Sequence, residues 1–425
     1  MLEKLSDFTQ NKYIRNIVTL VSGTTVAQGI PLLLMVFLTR IYSPDEFGAW
    51  TLCLSIATLI SLISTGRYEL AIILPESDKE ALGIFWLAIY GCLIVTLACY
   101  LVLAIAPTTI SLVTSDVRVR DQALLIPAMV LALGWYQAIN FRLIRDSEYR
   151  QLSLNRILNS AGGSLFQILL GVLNLIKQSG LFLGQILGYA SALLAYSTRV
   201  PNILAGSTDL KTMFSQGKRY IRFPLIDVPA AFLNTASNHI PFFFIGAQFG
   251  AGQLGIYALT MRALGAPMVL VANAFLDVFR REASIEFNET GSCKKIWIKT
   301  FRILAAIAVL PTLVLYFLGA FLFGLFFGDT WTESGEIASA LAVMFYIRFV
   351  SSPLSYTAYI YDKQIIDFVW QASLFTVTIG SIIVSLKANS FDLLISSIAT
   401  SYSVLYLIYL VVTYYLVSSS ADRTE

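Results

Sequence analysis

Residues 303–327 read ILAAIAVLPTLVLYFLGAFLFGLFF, a run of apolar residues without a charged side chain. About 20 predominantly apolar residues are enough for an α-helix to cross the hydrocarbon core of a bilayer. Comparable runs recur along the whole chain, and each predicts a membrane-spanning helix. The runs cover residues 14–41, 47–65, 81–106, 122–144, 152–176, 181–199, 223–248, 254–279, 296–327, 335–361, 365–386 and 391–417.

The composition agrees with a protein whose main solvent is lipid. Hydrophobic residues make up 57% of the chain and charged residues 13%, whereas soluble domains carry about 25% charged residues. So little charge leaves too little polar surface to cover a water-facing body of this size. We therefore expect an all-α integral membrane protein.

The distribution of Lys and Arg predicts the orientation in the membrane. With an even number of spans both termini lie on one side, and most basic residues lie in the tails and loops of that side. Cytosolic loops are the ones enriched in Lys and Arg, which places both termini in the cytosol. The opposite loops hold only Arg40, Arg118, Arg120, Lys177 and Lys387.

The chain is expected to consist of two halves. The connection at residues 201–222 is the largest inner loop and lies near the midpoint, which makes residues 1–200 and 223–425 two lobes of six helices. Gly48 and Trp50 follow the first predicted helix, and Gly255 and Tyr257 follow the seventh, 207 positions later. Parallel six-helix repeats are a known transporter plan. The predicted fold is about twelve transmembrane helices in two six-helix lobes around a central cavity.

Two segments resemble a known family. Residues 38–50 (LTRIYSPDEFGAW) and 66–80 (GRYELAIILPESDKE) resemble the first outer and first inner loops of the polysaccharide biosynthesis flippases. These are the Wzx type within the multidrug/oligosaccharidyl-lipid/polysaccharide exporter superfamily. The resemblance implies a V-shaped pair of lobes that works by alternating access. It also implies the cargo, an undecaprenyl-diphosphate-linked oligosaccharide such as an O-antigen (lipopolysaccharide) or capsule repeat unit, moved from the cytosolic to the periplasmic leaflet of the bacterial inner membrane.

Charged residues within the spans are candidates for cargo binding. Arg262 and Arg348 lie near mid-depth of two helices, where a charge costs about 2.5–3.5 kcal/mol and usually faces a bundle interior or water. Polar residues form a stripe on one face of three predicted helices. The stripes are Asp227, Asn234 and Asn238 on the seventh, Arg262, Asn273, Asp277 and Arg280 on the eighth, and Arg348, Ser352, Ser355 and Tyr359 on the tenth. The alternative for the arginines is a structural ion pair or snorkelling, and the alternative for the polar stripes is interhelical hydrogen bonding. The predicted cargo-binding residues are Arg262, Arg348, Asn234, Asn238, Asn273, Tyr359 and Arg67.

Energy coupling needs a group that changes charge or binds an ion. His239 is the only histidine, and its unperturbed pKa is near neutrality, although a lone intramembrane histidine is commonly a hydrogen-bonding core residue. Glu69 lies close to Arg67 at the cytosolic end of the second helix, where the two either guard the entrance or simply pair. The candidate coupling residues are Asp227, Asp277, His239 and Glu69. No metal site or cofactor is expected, since no cysteine pair has C-x-x-C spacing.

Two other functions compete with a flippase. A drug or small-metabolite exporter has the same fold, but cations in the lumen would repel cationic drugs. A membrane-bound glycan polymerase would need a large outer loop with catalytic groups, and the chain has neither such a loop nor an H-E-x-x-H, P-loop or nucleophile-elbow motif. We therefore expect no enzymatic activity and no nucleic-acid binding. The expected partners are membrane lipids, the cargo and other glycan-assembly proteins (a polymerase and a chain-length regulator), with the protein acting as a monomer.

Overall fold

A computed structural model describes residues 12–112, 114, 116–174, 176–199 and 209–421. Within these residues the secondary structure consists of helices joined by short turns, without strands. The α-helices are α1 Lys12–Ile41, α2 Pro44–Ser64, α3 Tyr68–Ala71, α4 Asp78–Ile105, α5 Val117–Asp121, α6 Leu125–Arg145, α7 Tyr149–Ile157, α8 Gly163–Val172, α9 Gly180–Arg199, α10 Leu210–Arg219, α11 Val228–Gln248, α12 Gly250–Thr290, α13 Lys294–Phe327, α14 Thr332–Leu354, α15 Thr357–Ile360, α16 Gln364–Ala388 and α17 Phe391–Ala421.

Each of the twelve predicted runs is mainly helical over the residues that the structure describes, so the all-α fold class is confirmed. Eight helices of the described residues have the length and apolar composition that a membrane crossing requires. The number of twelve crossings stays a prediction. Two runs contain a π-helical turn, at Leu158–Gly162 and at Phe223–Asp227. Such wider turns are rare and often lie at functional sites.

The second half of the predicted linker forms a helix. Asp209 caps α10 by accepting a hydrogen bond from the Lys211 N–H, and the helix buries Met213 on its apolar side. The hydroxyl of Tyr68 donates to the carbonyl of Gly217 at 3.0 Å, which connects α10 to the start of α3. Residues 201–208 of the linker lie outside the described residues, and the division into two six-helix lobes stays a prediction.

The chain divides into two compact units, Met1–Gly255 and Ile256–Glu425. Each unit has a hydrophobic core of its own. In the first unit, Ile84, Phe85 and Leu143 are almost fully buried together. In the second unit, Phe279 and Leu354 pack in the same way. Bilayer lipid offers little hydrophobic drive for helix association. Close van der Waals packing of these buried apolar side chains therefore stabilises the helices against one another.

The segment at residues 38–50 is mostly helical rather than a loop. Residues 38–41 end α1, and α2 begins at Pro44. Ser43 and Glu46 form a capping box, in which the Ser43 N–H donates to Glu46 Oε2 at 2.7 Å and the Glu46 N–H donates to Ser43 Oγ at 3.4 Å. This arrangement satisfies the first N–H groups of α2, which explains the Ser-Pro-Asp-Glu sequence as a helix start.

Two glycines allow a very close crossing of α2 and the first turns of α12. A Cβ atom on Gly48 would overlap the carbonyl group of Ala251, and a Cβ on Gly255 would overlap the carbonyl group of Pro44. Only glycine, which has no Cβ, lets two helix backbones approach so closely. Gly48 and Gly255 are the glycines of the internal repeat noticed in the sequence.

Candidate functional site

A polar cavity lies within the unit Ile256–Glu425. It has a volume of about 520 Å³ and is lined by residues from α12, α14, α15, α16 and α17. This volume lies within the range of about 300–1,000 Å³ that small-molecule sites occupy. The cavity is therefore large enough for a small molecule or for part of a larger one.

Two arginines supply the positive charge of the cavity. Arg348 lies on α14, half-buried, with its guanidinium carbon 6.0 Å from the centre of the Phe345 ring. Arg280 lies on α12, with its guanidinium carbon 4.7 Å from the centre of the Tyr356 ring. Both contacts are in cation–π range. Arg280 also approaches Asp277, at 3.7 Å between Nη1 and Oδ1, but both side chains are largely exposed, and exposed pairs contribute little.

Asp367 is the acidic centre of the cavity. It lies in the first turn of α16, and it accepts hydrogen bonds from Tyr359 Oη on Oδ2, from Gln371 Nε2 on Oδ2 and from Tyr409 Oη on Oδ1, each at 3.2 Å. These three donors hold the carboxylate in one orientation. Sequence reasoning missed Asp367, although Asp367 and Gln371 have the spacing of one helix face.

Aromatic rings form much of the remaining wall. Tyr356 and Tyr359 stack with ring centres 5.5 Å apart and planes at 17°. Trp370 lies 4.9 Å from Tyr409 and 5.2 Å from Tyr406, centre to centre. The walls of the cavity thus combine flat apolar surfaces with hydroxyl and amide groups, a combination that suits a ligand with both polar and apolar faces.

Part of the predicted polar stripes reaches this cavity. The stripe on the tenth predicted helix does so completely, since Arg348, Ser352, Ser355 and Tyr359 all line it. The stripe on α12 reaches it only through Arg280. Asn273 and Asp277 are exposed and are not among the lining residues, and neither is the half-buried Arg262.

A second cluster joins three predicted residues within the unit Met1–Gly255. Arg67 Nε donates to Asp227 Oδ2 at 2.7 Å, and Arg67 Nη1 lies 3.8 Å from Glu69 Oε1. Arg67 has a left-handed backbone conformation, with φ of 59°, which turns the chain sharply after α2. The π-helical turn Phe223–Asp227 ends at Asp227 and brings this carboxylate to the arginine.

Glu69 is the buried member of this cluster. It is fully buried, and neither carboxylate oxygen accepts a hydrogen bond of good geometry from the described residues. Burial raises the pKa of the Glu69 carboxyl above its usual value, and Asp227 adds to the rise. The nearby Thr65 hydroxyl and Arg67 act in the opposite direction. The protonated form is thus favoured relative to a solvent-exposed glutamate.

The three predicted residues on α11 are not part of either group. Asn234 and Asn238 are exposed, and Asn238 Nδ2 donates to the backbone carbonyl of Asn234 at 2.9 Å. His239 Nδ1 is 2.8 Å from Ser55 Oγ, a contact that ties α11 to α2. In the part of the chain that the structure describes, no group of three His, Cys, Asp or Glu side chains has the arrangement of a metal site.

Comparisons with known proteins agree with this architecture. The family model described as "Polysaccharide biosynthesis protein" matches residues 37–336. The succinoglycan biosynthesis transport protein ExoT of Rhizobium meliloti (strain 1021) is 22% identical over 271 residues, which cover 62% of this chain and 52% of ExoT. The chain thus matches about half the length of that relative.

Two solved structures show the same fold at low identity. The lipid II flippase MurJ, in an inward closed conformation, superposes with a TM-score of 0.68 at 13% identity, over 93% of this chain and 87% of MurJ. A multidrug resistance MATE family transporter of the MOP superfamily, in an inward-facing conformation, superposes with a TM-score of 0.62 at 13% identity, over 95% of this chain and all of that chain.

Proposed function

Because this multi-pass membrane protein belongs to the polysaccharide biosynthesis protein family and has the fold of known transporters, we propose that it is a flippase for a lipid-linked oligosaccharide. The cargo is an undecaprenyl-diphosphate-linked repeat unit of O-antigen or capsule. Movement runs from the cytosolic to the periplasmic leaflet of the bacterial inner membrane by alternating access. The protein does not alter the cargo chemically.

The observation that supports this cargo most is the cavity around Arg348. Arginine offers a planar fork of donors that matches phosphate oxygens, and charge-assisted hydrogen bonds of this kind are about twice as strong as neutral ones. Tyrosine, serine and amide groups in the same cavity match sugar hydroxyls. A cationic drug would meet two arginines there, which disfavours the drug-exporter alternative.

The predicted site residues have different roles in this proposal. Arg348 and Tyr359 contact the cargo in the cavity, and Arg262, Asn234, Asn238 and Asn273 are further cargo-binding residues outside it. Arg67 guards the cytosolic entrance, where it pairs with Asp227. Glu69 supplies the coupling proton, since it is buried and has a raised pKa. Asp227, Asp277 and His239 stay alternative coupling groups.

Deletion of the gene tests the proposed function directly. Cells without the protein should lose the surface glycan, and its lipid-linked repeat unit should accumulate on the cytosolic leaflet. Plasmid-borne wild-type protein should restore both. Normal polymer on the surface of the deletion strain, or repeat units that reach the periplasm, would show that another protein moves the cargo. Loss of drug resistance with normal glycan would favour the exporter alternative.

A further inference from the structure

An aromatic groove lies on the surface of the unit Ile256–Glu425 and shares no lining residue with the cavity around Arg348. It runs between the start of α13 and the later turns of α17 and has a volume of about 390 Å³. The buried Trp297 stacks on Phe301, with ring centres 5.5 Å apart and planes at 10°, and its centre lies 5.2 Å from that of Tyr414. The groove therefore has a wall of packed aromatic rings, while the Tyr414 side chain is partly open to the surroundings.

A row of basic side chains borders this groove. Lys295, Lys299 and Arg302 follow one another at spacings of four and three residues, so they share one face of α13. All three are exposed, and none forms an ion pair with another described residue. Arg302 also lines the groove, so the row supplies uncompensated positive charge at its edge.

The carboxylate of Glu286 is near the start of this row but is engaged with the backbone. It accepts hydrogen bonds from the N–H groups of Lys295 at 3.1 Å and Ile296 at 2.9 Å. These bonds satisfy two of the first N–H groups of α13, as a helix start requires. The lysine and arginine side chains of the row are left to bind an anion from outside the chain.

An apolar stripe continues from the groove along α17. Val404, Leu407 and Val411 are exposed, and their spacings of three and four residues place them on one face. Val411 lines the groove. Ser292, just before α13, donates to the carbonyl of Val417 at 3.0 Å, so the start of α13 and the end of α17 lie side by side. The predicted topology places both at the cytosolic surface of the membrane, which puts the basic row at headgroup level and the stripe towards the bilayer centre.

We propose that this groove is a binding site for an anionic phospholipid of the cytosolic leaflet. Lys299 and Arg302 bind the phosphate, and an acyl chain lies in the groove against Val411 and continues along Leu407. Clusters of basic residues next to the cytosolic end of membrane helices attract anionic lipid headgroups in this way. The bound lipid connects α13 with α17 and is a component of the folded protein rather than its cargo.

Two phospholipids with identical acyl chains isolate the contribution of the headgroup charge. Phosphatidylglycerol is anionic and phosphatidylcholine is net neutral. Titration of the delipidated, purified protein in detergent with each lipid, followed by native mass spectrometry, gives the dissociation constant of the first lipid bound. The wild type should bind phosphatidylglycerol more tightly. Each basic residue of the site should contribute about a fivefold preference.

Substitutions separate the charge from the groove. Lys299→Gln and Arg302→Gln should each weaken phosphatidylglycerol about fivefold and leave phosphatidylcholine unchanged. Val411→Trp fills the groove, keeps every charge and should weaken both lipids, and the exposure of Val411 leaves the protein interior untouched. The matched controls are Arg281→Gln and Lys363→Gln, because both side chains are exposed cations of predicted inner loops outside the groove.

Four results would overturn the proposal. Equal affinities of the wild type for the two lipids would exclude an anionic site, and equal losses in the control variants would show general attraction to the basic surface. Unchanged phosphatidylglycerol binding in Val411→Trp would exclude the groove. Displacement of phosphatidylglycerol by inorganic phosphate would make the basic row a plain anion site. Each of these results leaves the proposed function standing, because no cargo is present in the experiment.

Discussion

Glu69 shows how a single buried residue can make stability depend on pH. Its carboxyl is fully buried, and burial raises its pKa above the usual value of 4.5. In the unfolded chain the group ionises near that usual value. Between the two pKa values the folded state binds more protons than the unfolded state, so the stability of the fold is lost as pH rises through the raised pKa.

The variant Glu69→Gln should therefore be more stable than the wild type at alkaline pH. Its amide has nearly the same shape and does not ionise. The difference in melting temperature should be small near pH 4.5 and should grow as the pH rises towards 8. Thermal unfolding of the purified protein across this range measures it, with the exposed Glu76→Gln as the control. Parallel melting profiles for wild type and Glu69→Gln would contradict the prediction.

Arg348 should matter through its charge. In a cavity of low effective dielectric constant, a contact between a cation and a phosphate is stronger than at an exposed surface. Cells that express Arg348→Lys should keep part of their surface glycan. Cells that express Arg348→Gln should lose most of it, at unchanged levels of the protein in the membrane. The matched control is Arg281→Gln, since Arg281 has a largely exposed side chain. A loss of folded protein in Arg348→Gln would instead indicate a structural role.

At the scale of whole helices, the close crossing of α2 and α12 should make the stability of the protein sensitive to substitution of Gly48. In Gly48→Ala the added methyl group overlaps the Ala251 carbonyl, so the helices must separate, and overpacking of this kind costs about 1–3 kcal/mol. Gly380→Ala is the matched control, because a Cβ there would meet no atom within 4 Å. The melting temperature should fall for Gly48→Ala only. Equal melting temperatures would show that the crossing relaxes freely.

Long apolar runs made the helices predictable. A segment inside lipid must pair its own backbone N–H and C=O groups, and an α-helix does so within the segment. The stripe from Arg348 to Tyr359 was also predictable, because a period of 3.6 residues places these side chains on one face. Asp367 was missed because it lies on the next helix, beyond the turn at residues 361–363, and sequence spacing gives no distance across a turn. Helix α10 was missed because it is short and polar.

The orientation of the whole molecule is testable with single cysteines. The native Cys53, Cys92, Cys99 and Cys293 are first replaced. A cysteine at the exposed Val117 should react with an impermeant thiol reagent in intact cells, and one at the exposed Leu210 should react only after permeabilisation. We expect this labelling pattern because the excess of Lys and Arg in the predicted inner loops places those loops in the cytosol. The reverse pattern would invert the predicted topology.

The contact of Gly48 with Ala251 and of Gly255 with Pro44 is reciprocal. Residues 44 and 251, like 48 and 255, are 207 positions apart, so exchanging each residue for its counterpart gives the same pair of contacts. Reciprocity of this kind is the property of an isologous two-fold interface between identical subunits. In a six-helix chain paired with its own copy, one glycine codon would have specified both contacts, and one mutation would have removed both. In a single chain the two sites mutate separately, so Pro44 and Ala251 can differ while both contacts are kept.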